Sequence, residues 1–338
     1  MLTENWDGEE IRKQLPPENW DDFDGIVEQR ILGATRHIEL IGTFIESIAR
    51  ECVRQQTTTD EMITRIRLVT NFFVRTRGAA SQAVANAVQL MVRNLEQCRE
   101  LTLKEAETKI IGCKNTYREL SREAVEKIVG YAAALAEDME RIFLFDYSST
   151  VARFLSELSG DRKSRTLYIA ESRIIGGGKP YLKECQEKGY RIHFVPDAAS
   201  MYTIQKCDGI FMGAETIYPD GTCFNTIGAD MTGLLGAYFH VPLYFLSPLI
   251  KLDFKMLEGK QKHLVQNGIG EKVEAQMRQI GVAMGTIEFG VPELVPVKPE
   301  FITSIVTEWG VVPPWGMYGE SQRYREFLKG GICKNVQT

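Results

Sequence analysis

The chain has 338 residues, an apolar content of 44% and a formal net charge of −5. That length allows two domains or one large one, and that apolar fraction supports a sizeable core. An acidic balance spread along the chain argues against a general nucleic-acid or anionic-membrane binder.

The first ten residues, MLTENWDGEE, read as neither a signal nor a transit peptide, and no window reaches the ~18 apolar residues of a membrane span. Seven cysteines are scattered, at positions 52, 98, 113, 185, 207, 223 and 333, with no CxxC pair. Four histidines occur without an HxxxH or HExxH spacing. A reduced, cytoplasmic chain is expected, with most thiols buried and with neither a metal site nor a bound cofactor.

The first ~130 residues show helical spacing of apolar side chains. Ile26, Ile31, Ile38, Ile41, Ile45 and Ile48 form one series, Val84, Val88, Leu90, Met91 and Leu95 another, and 101–129 a third. Gly33 and Gly78 are expected in short polar turns between helices. From Ile142 the pattern changes to short apolar runs: IFLF, TLYIA, RIHFV, GIFMG and PLYFL. Helical segments are expected between them, over 151–158, 180–188, 198–206 and 231–238. Strand–helix alternation at this spacing predicts parallel βαβ units. The expected fold is therefore α/β: a helical N-terminal domain, 1–133, followed by a Rossmann-like parallel-sheet domain, 134–338. A further strand is expected near 293–297 and a helix over 300–308.

In such a sheet ligands sit at the carboxyl ends of the strands, so the residues there are the candidates. Asp146, Tyr147, Ser148 and Ser149 follow the first strand, and Glu171-Ser172-Arg173 the second. Gly176-Gly177-Gly178 comes next, either a flexible turn or three N–H groups forming an anion nest. Its spacing is not GxGxxG, which argues against a nicotinamide cofactor. Gly213-Ala214-Glu215 follows the fourth strand, then Pro219-Asp220-Gly221 and Asn225-Thr226-Ile227-Gly228.

These motifs resemble one family. It comprises the isomerases acting on methylthioribose-1-phosphate and ribose-1,5-bisphosphate, and the alpha, beta and delta subunits of eukaryotic translation initiation factor 2B. The resemblance implies that Glu215 stands where the isomerases have a catalytic aspartate, and Tyr147 where they have a catalytic cysteine. Asp146 replaces a histidine and Thr226 a lysine, while Gly177 stands where a substrate-binding glutamine is expected. The resemblance also implies substrate-binding roles for Ser149, Glu171, Ser172, Arg173, Asn225 and Thr226. In the helical part it implies two phosphate-binding turns. One is Gly33-Ala34, preceded by Leu32 rather than arginine. The other is Arg77-Gly78-Ala79, expected at a helix start.

Three readings follow. One is an isomerase-like enzyme in which Glu215 works with Tyr147 or Asp146 on a pentose or related sugar derivative. The second is a non-catalytic metabolite-binding regulator. The third is a factor-2B-like subunit. All three imply a sugar or sugar-phosphate ligand or a protein partner, and the resemblance implies a homodimer.

Overall fold

The structure is a computed structural model that describes residues 8–31, 33–158, 164–260, 262, 266–268, 277–283, 285, 287, 288 and 290–330. The chain forms two compact units. The first comprises Met1–Glu123, Ile250–Leu252 and Gln322–Thr338; the second comprises Ala124–Leu249 and Asp253–Ser321.

The first unit is helical: α1 (Gly8–Arg12), α2 (Trp20–Val27), α3 (Ala34–Gln55), α4 (Thr59–Ala80), α5 (Gln82–Val92) and the start of α6 (Leu103–Leu135). In α3 the buried set Leu40, Ile41, Phe44, Ile45, Ile48 and Cys52 recurs at three- and four-residue steps, which fixes its inward face. Thr58 caps α4 by accepting the Glu61 N–H, with Asp60 and Glu61 in the first turn, where carboxylates favour the helix dipole. Phe23, Phe44, Phe72 and Phe73 form an aromatic cluster with ring centroids 5.3–6.5 Å apart. Each such ring contributes roughly 2–3 kcal/mol by its burial.

Gly78 lies inside α4 rather than in a turn. A Cβ there would come within 2.9 Å of the Ala85 Cβ, so glycine serves the close contact of α4 with α5. Arg77 is consequently in the last turn of α4, not at a helix start as the sequence suggested; there a cation favours the helix dipole.

The second unit is built on a seven-stranded sheet in the order β12-β11-β7-β4-β1-β2-β3. Its strands are β1 (Arg141–Leu144), β2 (Thr166–Ala170), β3 (Arg191–Val195), β4 (Gly209–Gly213), β7 (Leu243–Leu246), β11 (Ser304–Thr307) and β12 (Gly310–Val312). All neighbours are parallel except β12, which runs antiparallel to β11. The central strands β1, β4 and β7 are buried along nearly their whole length, which is why they appear as unbroken apolar runs. Between them run α7 (Ser149–Leu158), α8 (Lys179–Glu187), α9 (Ser200–Ile204) and α10 (Ala229–Phe239). A smaller antiparallel sheet, β10-β6-β5, joins Leu294–Val297, Cys223–Thr226 and Thr216–Ile217.

Two expectations for the tail change. Residues 300–308 do not form a helix: a short 3-10 turn, Pro299–Phe301, leads into strand β11. The strand expected near 293–297 exists as β10, in the small sheet. Arg165, fully buried, donates to the carbonyls of Ala136, Glu137 and Met139 just past α6, and of Leu158 at the end of α7. A buried guanidinium thus satisfies carbonyls that two helix ends leave without partners.

Candidate active site

The order of the large sheet locates the site. From β1 the chain adds β2 and β3 on one side, then returns to add β4, β7 and β11 on the other. The crevice at the carboxyl ends of β1 and β4 is therefore the topological switch point, where ligands bind in sheets of this kind. Asp146 follows β1 and Glu215 follows β4.

Asp146 is the most unusual residue there. Its φ is +58°, a left-handed conformation, and its side chain is 7% exposed. Ser172, at the matching end of β2, is also left-handed, at φ +45°, and fully buried. Asp tolerates this region; serine adopts it less readily. The two are joined, because the Asp146 N–H donates to Ser172 Oγ at 2.9 Å. Strained residues cluster at functional sites, which makes these two strand ends the candidate.

The Asp146 carboxyl is half satisfied. Oδ2 accepts from the Thr226 hydroxyl at 2.7 Å; Oδ1 is buried with no hydrogen-bond partner among the described residues. Burial raises the pKa of Asp146 above the usual carboxylate range. The Thr226 hydroxyl and the Tyr147 N–H oppose this, and the negative charges of Glu215 and Glu293 add to it.

Tyr181 on α8 clamps the loop. Its phenol donates to the Asp146 carbonyl at 3.0 Å and accepts the Ser148 N–H at 2.8 Å. Tyr147 is 44% exposed, with its ring 5.1 Å from that of Tyr181. Ser149 opens α7 and is exposed.

The glycine run has a steric reason. A Cβ on Gly177 would lie 1.8 Å from Asp146 Oδ1, and one on Gly178 1.9 Å from the Ala170 carbonyl oxygen. The anion nest does not form. The N–H groups of Gly176 and Gly177 donate to the Ser172 carbonyl, and that of Gly178 to the Glu171 carbonyl. The Ser172 and Arg173 N–H groups are likewise engaged, by the two oxygens of Asp197 at 2.9 Å each. Glu171 is partly buried and Arg173 is exposed.

Glu215 is partly buried, and its N–H donates to the Phe224 carbonyl at 2.8 Å, tying the loop after β4 to β6. Asn225 spends its amide on the Gly213 carbonyl at 2.8 Å and its oxygen on the Thr226 N–H at 2.7 Å. It holds β4 and β6 together. The sequence reading missed Lys262, whose ammonium donates to Thr216 Oγ1 at 2.8 Å. Burial lowers its pKa, against the attraction of Glu215 and Asp253. It lies in a polar stretch, KQKH, that looks like solvated surface, so only the three-dimensional contact reveals it.

In the helical unit, Gly33 is the N-cap residue of α3 with φ +92°, and Ala34 is the first residue of that helix. Arg77 Nη2 donates to the Val27 carbonyl at 2.6 Å, while Nε is buried with no partner among the described residues. Burial lowers its pKa. Ala79 is exposed. Asn86, on α5, donates to the carbonyls of Ile250 and Leu252. Leu32 lies outside the described residues.

Residues 34–314 match the Initiation factor 2 subunit family. The chain belongs to that family. It is 21% identical over 270 residues to the ribose 1,5-bisphosphate isomerase of Methanocaldococcus jannaschii, covering 80% of this chain and 84% of that one. It is 26% identical over 239 residues to the methylthioribose-1-phosphate isomerase of a Thermoanaerobacter species, covering 68% and 69%. It is 22% identical over 258 residues to translation initiation factor eIF2B subunit delta of Dictyostelium discoideum, covering 73% of this chain and 41% of that one. The solved 5-methylthioribose 1-phosphate isomerase of Pyrococcus horikoshii superposes with a TM-score of 0.72 at 18% identity, covering 94% and 87%. These likenesses establish the fold: a helical N-terminal part followed by a mostly parallel sheet. No helix among the described residues is long and apolar enough to cross a membrane.

Proposed function

We propose that this family member is a cytoplasmic aldose–ketose isomerase acting on a pentose or related sugar derivative. Asp146 and Glu215 form its acid/base pair; in the helical unit, Arg77 and the Gly33-Ala34 helix start are a separate candidate for holding an anion. The observation that supports the reading is the pair of carboxyl groups after β1 and β4 at the switch point, Asp146 being buried with its pKa raised by that burial. Two carboxyl groups whose environments differ are what proton transfer in two directions needs.

The chemistry balances on these two side chains. The Glu215 carboxylate removes the proton from C2 of the open-chain aldose. The C1–C2 double bond forms as the C1 carbonyl oxygen takes the proton of Asp146, giving an enediol. Asp146, now ionised, takes the proton from O2 as the C2 carbonyl forms, and Glu215 returns its proton to C1. Both groups end as they began. Tyr147 lies beside Asp146 and orients the sugar; Asn225 and Ser172 hold the two strand-end loops in place.

The test is a panel of aldose and ketose phosphates, and their unphosphorylated analogues, against wild type, Glu215→Gln and Tyr147→Phe. Glu215→Gln keeps the shape and removes the base. Unchanged turnover in that variant would exclude the assignment. The second reading is a ligand-binding subunit without turnover. It is favoured by one observation, that a tyrosine occupies the place of the isomerases' catalytic cysteine, and tight sugar binding with no turnover of any candidate would select it.

The assembly proposed is a homodimer through α9 and α10. Met201, Tyr202, Leu234 and Tyr238 are 52–69% exposed on these two adjoining helices, a concentration of apolar surface that favours association. Sedimentation showing a monomer at micromolar concentration would rule this out.

A further inference from the structure

Seven buried side-chain polar atoms lack a hydrogen-bond partner among the described residues, and three of them fall within six residues at one joint. They are Arg77 Nε in the last turn of α4, Ser81 Oγ between the helices, and Gln82 Oε1 at the first residue of α5. The joint is closely built. The Ser81 N–H donates to the Arg77 carbonyl at 2.8 Å, and Gly78 lets α4 press against Ala85 of α5. The three residues are partly exposed although these atoms are buried, so the unmet groups lie just beneath the surface of the helical unit. Three unpaired polar atoms in one place are costly, and a ligand that pairs them relieves the cost.

The chemistry of each atom limits what can pair it. The Arg77 Nε–H only donates. Its guanidinium is held by Nη2, which donates to the Val27 carbonyl at 2.6 Å. Burial lowers its pKa, and no carboxylate among the described residues offsets this. An anionic oxygen is the acceptor that suits it best. Gln82 needs the opposite. Its orientation is fixed by a relay that begins at Asn86, which is 2% exposed. The Asn86 amide nitrogen donates to the carbonyls of Ile250 and Leu252 at 2.9 and 3.0 Å, so its oxygen is left for Gln82. The Gln82 amide nitrogen donates to that oxygen at 3.0 Å, which leaves Oε1 as an acceptor only. Turning either amide over would set oxygen against oxygen. The Ser81 hydroxyl can serve either way.

A phosphate monoester dianion satisfies Arg77 but has no hydrogen for Gln82. The hydrogen has to come from a second group of the same ligand, near the anion because only four residues separate Arg77 from Gln82. We propose that Arg77, Ser81 and Gln82 together bind a hydroxylated phosphate monoester, with Gln82 as the residue that selects for the hydroxyl. Arg77 donates to a phosphate oxygen, Ser81 stands between, and Gln82 Oε1 accepts the hydroxyl of a nearby carbon. The inference rests on the reading of Arg77 as an anion-holding residue, given above, and is independent of the acid/base chemistry at Asp146 and Glu215.

The probes are 2-hydroxypropyl phosphate and propyl phosphate, which differ by one hydroxyl on the carbon next to the ester carbon. Both are titrated calorimetrically into the full chain at about pH 8, where a phosphate monoester is a dianion. Wild type should bind the hydroxylated ester about tenfold more tightly, the size of one well-placed hydrogen bond. Gln82→Met, similar in length and without that acceptor, should bring the ratio to about one and leave propyl phosphate binding within about twofold. Gln82→Ala, which keeps a strong helix former at that position, gives the same reading if the methionine variant melts early. Arg77→Gln should weaken both esters alike. Equal binding of the two esters by wild type, or an unchanged ratio in both Gln82 variants, would overturn the selection by Gln82 and leave Arg77 as an anion holder. No binding of either ester at millimolar concentration, or no effect of Arg77→Gln, would remove the anion reading and this inference with it.

Discussion

The two units differ in how they treat the residues that the family resemblance marks as functional. In the sheet unit several marked polar groups are engaged with others: Ser172 with Asp146, Thr226 with Asp146, Asn225 with Gly213. The unmet group is a carboxyl oxygen. In the helical unit the marked residues sit at helix ends, and the group with an unmet nitrogen is a guanidinium, Arg77. The first is suited to moving a proton and the second to holding an anion. The difference teaches that the chemistry each unit can offer follows the sign of the buried group it leaves unsatisfied.

The sharpest way to break this comparison is at the sheet end. Glu215→Gln should lower kcat by about 10²–10⁴, the usual range for losing a general base, with little change in KM. Steady-state kinetics on the first substrate found to turn over would check it. A rise in KM at constant kcat would mean that Glu215 only binds, and the contrast between the two ends would fail.

The same sheet edge carries a second carboxyl whose pKa burial raises, and it gives a pH test independent of any substrate. Glu308 follows β11, accepts the Leu249 N–H at 2.9 Å, and has its pKa pushed up to about 7 by burial, with Lys127 pulling the other way. The folded protein therefore holds this proton when the unfolded chain has released it. Stability associated with Glu308 is complete below the unfolded pKa and is lost as pH rises through about 7. Glu308→Gln keeps an acceptor for Leu249 and removes the ionisation. It should leave Tm unchanged at pH 4 and raise it at pH 8, by up to about 3 kcal/mol of stability. Equal Tm differences at the two pH values would refute the assignment.

Much of this architecture was legible in the residues. The parallel sheet showed itself because strands buried on both faces must be apolar throughout, as IFLF, GIFMG and PLYFL are. Strand β11 was misread because Phe301, Ile302, Ile305 and Val306 also satisfy a four-residue spacing; Pro299 and the pairing with β7 decide for a strand. The helical register at Arg77 was misread because glycine usually breaks a helix, whereas Gly78 is kept there by the approach of Ala85. At the site, the strand ends named Asp146, Glu215, Ser172 and Thr226 as neighbours. They could not reveal that Gly177 makes room for Asp146, that the glycine N–H groups are already engaged, or that Lys262 arrives from a distant polar segment. Those facts depend on contacts between elements, which no local pattern encodes.

At the helical end, Arg77→Gln should weaken a phosphorylated ligand by roughly 10–100-fold, the size of one charge-assisted hydrogen-bonding group, and leave an unphosphorylated analogue unaffected. Titration of the two sugars would separate anchoring from folding, since a damaged fold weakens both. Equal losses would remove the anchoring role from the comparison.

The smallest expected effect tests whether the clamp on the loop after β1 serves proton transfer. Tyr181→Phe deletes one hydroxyl that donates to the Asp146 carbonyl and accepts the Ser148 N–H, while keeping the ring against Tyr147. Losing such a buried bridge costs about 1–2 kcal/mol of stability, read as a lower midpoint in urea. Asp146 then has one tether fewer and a left-handed backbone to maintain. Its carboxyl should spend less time in the geometry for proton transfer, so kcat should fall several-fold. The hydroxyl is spent on the backbone of the loop, so KM should stay within about twofold, below the size of one lost hydrogen bond. A fall in stability with kcat unchanged would make Tyr181 a packing residue only. A rise in KM with kcat preserved would show that the clamp serves ligand binding rather than proton transfer.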